Sequence, residues 1–329
     1  MKCLGISKLI SAILVFAVTS LTAACSKHFF TLPEQSQTFA QSTKYNNKVD
    51  ILLMVDNSSS MSTYQSKLAD ETPAMITALN ALGMDYNFAI VTTDMRAGGN
   101  GGKFVGQPKV LNRNTPDLTS LLTARVVQGT GGSDLEQGLM SIQQALSPNY
   151  LHGEGAGFLR ADALLAIIAL SDEDDNSAGS AESFRQFFDQ LKPKLSPIAP
   201  SWVLNYIGIP NLNSTCRTAL GDAFKDPGLK WIELANSSQG LVQSICQTTL
   251  ADSVSNIKRR IVEIITDYPL NRKPKLESIF VRINDQVISQ SNTNGWEFIP
   301  VQNVIRFHGA AVPDADDRVS VNFTPAEAM

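Results

Sequence analysis

Asp56, Ser58 and Ser60 occupy alternate positions of the stretch Asp56-Asn57-Ser58-Ser59-Ser60. Carboxylate and hydroxyl oxygens spaced this way on one turn can converge on a hard divalent cation, Mg2+ first, with Mn2+ or Ca2+ as alternatives. Two other stretches offer oxygens of the same kind. Gly131-Gly132-Ser133-Asp134-Leu135 presents the Ser133 hydroxyl, with Thr130 as an alternative, and Leu170-Ser171-Asp172-Glu173-Asp174-Asp175 presents Asp172. None is informative alone, because Ser-rich turns and acidic loops are common at surfaces. Their meaning depends on the elements that position them.

Those elements read as alternating strands and helices. Residues 49–55 are a nearly unbroken apolar run, expected of a strand buried on both faces. A helical pattern over 61–82 follows and stops at Gly83. Strands are expected at 86–92, 163–170, 202–209 and 229–234, with an edge strand at 103–111; helices are expected at 134–146, 181–191 and 241–266. Such alternation implies an α/β fold, a doubly wound, mostly parallel sheet whose functional crevice lies at the carboxyl ends of its strands. All three oxygen-bearing stretches fall at such ends or at the start of a helix. After Pro269 the pattern changes to short alternating segments with the turn signals Asn284-Asp285 and Asn294-Gly295. A small β module over 269–329 is expected, with Trp296, Phe298, Phe307 and Phe323 in its core.

Composition narrows the function. The 329 residues carry 27 Lys+Arg against 31 Asp+Glu, and this acidic balance, with no long basic stretch, argues against nucleic acid as a partner. Three histidines (His28, His152 and His308) make a His-rich metal site improbable. Catalytic signatures are weak: no Gly-x-Ser-x-Gly elbow occurs, Gly101-Gly102-Lys103 lacks the setting of a phosphate loop, and His152 has no evident partner. The expectation is a binding protein and not an enzyme.

The N-terminus reads as an export signal over 1–24. Lys2 and Lys8 precede a short apolar run that ends in Leu21-Thr22-Ala23-Ala24-Cys25. Small residues directly before a cysteine resemble the lipobox of bacterial lipoproteins. The resemblance implies cleavage before Cys25, diacylglycerol on its thiol and a further acyl group, such as palmitate, on its amine. Several acyl chains give stable membrane anchoring where one does not. Ser26 after the cysteine implies the outer rather than the inner membrane of a Gram-negative cell envelope. Residues 25–48 are polar and are expected to be a flexible tether. Cys216 and Cys246, an even pair in an oxidising compartment, are expected to form a disulfide.

Together the three oxygen-bearing stretches resemble a von Willebrand factor type A (VWA) domain with its metal-ion-dependent adhesion site, over about residues 48–268. The resemblance implies Ser58 and Ser60 as direct ligands, Asp56 and Asp172 as carboxylates binding directly or through water, and Ser133 in the place of the family's Thr. It further implies an open coordination position filled by an Asp or Glu carboxylate of a protein partner. The phrases Val91-Thr92-Thr93-Asp94-Met95 and Phe158-Leu159-Arg160-Ala161-Asp162-Ala163 are similar to those of bacterial lipoproteins carrying this domain. Two alternatives stand beside it. One is a structural or regulatory envelope scaffold in which the metal only stabilises the domain; the other is a metal-dependent hydrolase using the Asp172–Asp175 cluster. Four carboxylates in a loop are usually just solvated; if Asp172 serves the metal, Glu173, Asp174 and Asp175 are expected to rim the crevice, with a second, weaker Ca2+ site among them as the minor alternative.

Overall fold

The computed structural model describes residues 35–40, 47–193, 200–212, 216–218, 225–313 and 317–326. In chain order the elements are strands β1 (Gln35–Ala40) and β2 (Lys48–Val55), helix α1 (Ser62–Ala81), strands β3 (Asp85–Thr92) and β4 (Leu111–Asn112), and helices α2 (Leu118–Val126), α3 (Gly138–Ala145) and α4 (Pro148–Leu151). They continue with β5 (Leu164–Leu170), α5 (Ala181–Leu191), β6 (Trp202–Gly208), α6 (Leu229–Ser237), β7 (Val242–Ser244), α7 (Ala251–Thr266) and β8 (Asp267–Pro269). The last strands are β9 (Phe280–Ile283), β10 (Gln286–Val287), β11 (Gly295–Ile299), β12 (Val304–His308) and β13 (Arg318–Phe323).

The central sheet has the order β4-β3-β2-β5-β6-β7, with every neighbouring pair parallel except β3 and β4. β2 and β5 are apolar almost throughout because both their faces are covered. Alternate side chains of β2 divide between two cores. Ile51, Leu53 and Val55 pack with Leu68 of α1, Leu122 of α2 and Ile257 of α7, whereas Leu52 and Met54 pack with Ile142 of α3, Phe188 of α5 and Trp231 of α6. The doubly wound α/β class is therefore present as expected, with helices on both faces of the sheet.

At the amino end of β2 the Asp50 carboxylate is buried and accepts from the Arg160 backbone N–H (2.7 Å) and Nε (2.8 Å). Arg160 also pairs with Asp85 of β3 at 2.8 Å. The motif read at 158–163 thus locks the sheet at the end opposite the oxygen-bearing loops.

A separate core of Tyr268, Val281, Trp296, Ile305, Phe307, Val319, Val321 and Phe323 fills a small β module made of two antiparallel sheets. Phe298, expected in this core, is only half-buried against it.

Several expectations are corrected. Residues 25–48 are not a flexible tether throughout, because β1 hydrogen-bonds antiparallel to β13, register Gln35 to Phe323 and Ala40 to Arg318. The polar sequence of β1 hid it, and the pairing with the β13 backbone makes it a strand. Residues 1–34, with the export signal and Cys25, lie outside the described residues. The expected strand at 229–234 is helix α6, which buries Trp231, Leu234 and Ala235 on one face at helical spacing. The expected helix 241–266 is two elements, a strand that extends the sheet past β6 and then α7. The edge strand at 103–111 shrinks to β4: Phe104 N–H donates to Tyr150 Oη (2.7 Å) and Val105 N–H to Ile90 O (2.9 Å), so no ladder forms. The helix expected from Asp134 begins at Gly138, and the residues released from it enter the candidate site.

Candidate metal centre

Three loops meet at the carboxyl ends of β2, β3 and β5. The first leaves β2 at Asp56, whose backbone N–H donates to Leu170 O (3.0 Å) at the end of β5. Gln65, buried on α1, pins this loop: its Nε2 donates to Asp56 O (2.7 Å) and Gly129 O (2.8 Å), and its Oε1 accepts from Gln128 N–H (2.9 Å). The second loop is drawn in by Gly132, whose N–H donates to Asn57 O (2.8 Å). A Cβ at Gly132 would collide with the Asn57 side chain and carbonyl, so only glycine allows this approach. Arg96 braces the same loop, with two 2.8 Å contacts to Asp94 and a 2.7 Å bond to Gly131 O.

Asp56, Glu136 and Asp172 each point a carboxylate oxygen into the space between the loops, and these oxygens lie within 4.8 Å of one another. All three side chains are buried, at 0%, 2% and 1% exposure. Asp56 Oδ1 accepts from Ser58 N–H (2.8 Å) and the Thr93 hydroxyl (3.3 Å), and its Oδ2 from the Ser171 hydroxyl (2.9 Å). Ser171 also lies 3.2 Å from Glu136 Oε2. Both oxygens of Asp172 and Oε1 of Glu136 have no hydrogen-bond partner.

Burial pushes the Asp172 carboxyl up to about 6; the nearby Ser60 hydroxyl offsets this in part, and the charges of Asp56 and Glu173 add to it. Burial and the adjacent Asp56 charge push the Glu136 carboxyl far up as well. The buried Asp172 and Glu136 carboxyls, with oxygens that lack a partner, are costly in a metal-free fold, because buried polar atoms need compensation. A hard divalent cation fits the donor set, since oxygen-rich, anionic sites are what such ions take.

The expected residues fare as follows. Asp56 and Asp172 are brought together. Ser58 is buried and Ser60 half-buried on the same turn, their hydroxyls 3.3 Å apart. Ser133 is buried on the second loop, where its hydroxyl accepts from Leu135 N–H at 3.1 Å. Cys216 and Cys246 form a disulfide with Cα atoms 5.2 Å apart. Sequence reasoning missed Glu136, Ser171 and Thr93. Glu136 falls inside the helix expected at 134–146, and an acid two positions ahead of the true helix start is its only signal. Ser171 and Thr93 are ordinary hydroxyls that become visible only once β5 and β3 are aligned beside β2.

The acidic run does not simply rim the crevice. Asp175 is buried, with Oδ2 accepting from Leu139 N–H (3.0 Å) at the start of α3 and Oδ1 from Ser177 N–H (2.9 Å). Asp174 Oδ1 accepts from Asp175 N–H and from Lys230 N–H at the start of α6, both at 2.9 Å. These carboxylates satisfy helix amino termini, which favour negative charge. That commitment removes them from the second Ca2+ position considered above. Glu173, half-buried like Asp174, pairs with Lys225 at 2.9 Å.

No protein-family model matches the chain, and no curated protein sequence matches it. Its fold is similar to solved structures at low identity. Proximal thread matrix protein 1 from the mussel byssus, with a zinc-occupied MIDAS motif, is 11% identical, with 70% of this chain and 51% of that chain covered and a TM-score of 0.42. The open conformation of the pilus adhesin SpaC from Lactobacillus rhamnosus GG is 12% identical, with 89% and 41% covered and a TM-score of 0.43. The chain spans about half or less of the length of these structures.

Proposed function

We propose that this protein is a lipid-anchored adhesive protein of a bacterial cell envelope that captures a carboxylate of a protein partner through a divalent-cation centre. The observation that carries the reading is the pair of orphaned Asp172 oxygens inside the Asp56–Glu136–Asp172 cluster. In this reading Asp56, Asp172 and Glu136 hold the ion, the Ser58, Ser60 and Ser133 hydroxyls complete its protein shell, and Mg2+ is the native cation. The ion supplies a Lewis-acidic position for an anionic oxygen. The protein supplies rigidity through Gln65, Arg96 and Ser171, which fix the loops before any ligand arrives. Cys25 carries the lipid and places the protein in the outer membrane, and the reaction class is binding, not catalysis.

Calorimetry with Mn2+ and Mg2+, followed by pull-down from envelope extract with and without EDTA, tests this. A partner that elutes with EDTA and is lost in Ser58→Ala/Ser60→Ala supports it. Partner binding unchanged by both treatments removes the mechanism. Labelling with a palmitate analogue, abolished by Cys25→Ser, tests the anchor.

One observation favours a second reading. Glu136 adds a third carboxylate, so a bound divalent ion is already overmatched in charge before any partner arrives. A purely structural ion would then stabilise a scaffold. Under that reading chelation lowers the melting temperature and spares association.

A further inference from the structure

A cleft of about 480 Å3 opens beside the cluster, lined by Glu173, Asp174, Asn176, Arg217, Lys225 and Asp226. Its place in the fold is fixed on two sides. Glu173 and Asp174 follow Asp172 directly in the chain, and Arg217 is held next to the Cys216–Cys246 disulfide, which ties it to the segment just past β7. Of the three acids that line the cleft, Asp226 follows Lys225 in the chain and the other two are engaged. Asp174 serves the amino end of α6, and Glu173 pairs with the exposed Lys225 ammonium. The charge of Lys225 is held chiefly by Glu173 and is felt also by Asp172 and Glu136, which places the ammonium within electrostatic reach of the cluster.

This arrangement answers the difficulty that Glu136 creates. Three carboxylates around a divalent ion leave net negative charge, and a further anion is repelled unless cations flank its approach. Lys225 and the exposed Arg217 supply those cations on one side of the centre. We propose that the cleft is the second half of the ligand site. Lys225 and Arg217 receive a second acidic side chain from the ligand whose first carboxylate meets the ion. The ligand is therefore a protein segment with two neighbouring acidic residues. Lys225 exchanges Glu173 for the ligand as the complex forms. The inference rests on the metal-centre reading above and adds the ligand class to it.

The test uses the full chain in detergent, loaded with Mn2+, and two blocked pentapeptides carrying one or two aspartates. The two-aspartate peptide is expected to bind about five- to tenfold more tightly, as two partly exposed charge pairs allow. Lys225→Gln/Arg217→Gln is expected to abolish this preference while leaving Mn2+ affinity and single-aspartate binding within about threefold, and Lys225→Arg is expected to keep it. Equal binding of the two peptides, a double variant that weakens both alike, or no peptide binding to an Mn2+-loaded protein overturns the inference and spares the metal centre. Absence of Mn2+ binding in calorimetry overturns the metal-centre reading itself.

Discussion

Asp172 and Asp175 stand three positions apart in one acidic loop and face opposite tasks. Asp172 turns two unpartnered oxygens into the carboxylate cluster, whereas Asp175 gives both of its oxygens to backbone N–H groups of Leu139 and Ser177. Identical side chains in one loop are thus a ligand candidate and a helix cap. Asp172→Asn is expected to weaken Mn2+ binding at least tenfold in calorimetry. It should also stabilise the metal-free protein by about 1 kcal/mol, because it removes an unpaired buried charge. Asp175→Ala is expected to do the reverse, with cation affinity kept and about 2 kcal/mol of stability lost by urea titration as the amino end of α3 goes unsatisfied.

Glu136 separates holding the ion from receiving a ligand. Glu136→Gln keeps the side-chain shape, removes one negative charge from the cluster and should weaken cation binding about tenfold. At saturating Mn2+, capture of an acidic peptide is expected to be retained or improved, because the ion is then less fully neutralised. A loss of peptide binding at saturating Mn2+ would show that Glu136 itself touches the ligand.

Acid should stabilise the metal-free protein and abolish its response to cations. Asp172 titrates near 6 in the fold against 3.8 in an open chain. The folded state therefore binds more protons across that interval, and stability falls as pH rises through it, on the order of 3 kcal/mol from this group. Asp50, also raised to about 6 by burial, adds to the same slope whether or not a cation is present. The cation needs ionised carboxylates, so its contribution is full above about pH 7 and fades below about pH 6. Urea unfolding in EDTA and in Mg2+ at three pH values gives the two slopes, and their difference isolates the centre.

Removing the disulfide tests the link between fold and cleft. Cys216 and Cys246 are separated by 30 positions, and closing such a loop is worth about 3 to 4 kcal/mol in the chain-entropy account. Cys216→Ser/Cys246→Ser is expected to lose a comparable amount by thermal melting. Mn2+ binding should persist, since every oxygen of the cluster is held by other loops.

The sheet was legible because β2 and β5 are apolar enough to announce burial on both faces, and the turn after each follows directly. Asp56 and Asp172 were legible for the same reason, since both sit one or two positions past a strand end. Elements that depend on partners distant in the chain were not. α6 has too few apolar residues to separate from a strand until its Trp231 face is seen against the sheet. β7 is a strand only because β6 lies beside it. Glu136 was hidden because α3 starts four residues later than its pattern suggests, and no local signal distinguishes a helical glutamate from one turned inward.

The pairing of β1 with β13 joins the two ends of the chain in a single ribbon of backbone. The β module is consequently discontinuous in sequence, and no single cut divides the protein into two intact halves. A fragment beginning at Lys48 would strip β13 of its neighbour on the side away from β9 and leave a row of bare amide and carbonyl groups inviting intermolecular association. A fragment ending near Thr266 would leave 35–40 as an unpaired strip. Separation of the two cores therefore calls for a rearranged gene, in which the stretch holding β1 is spliced ahead of β8.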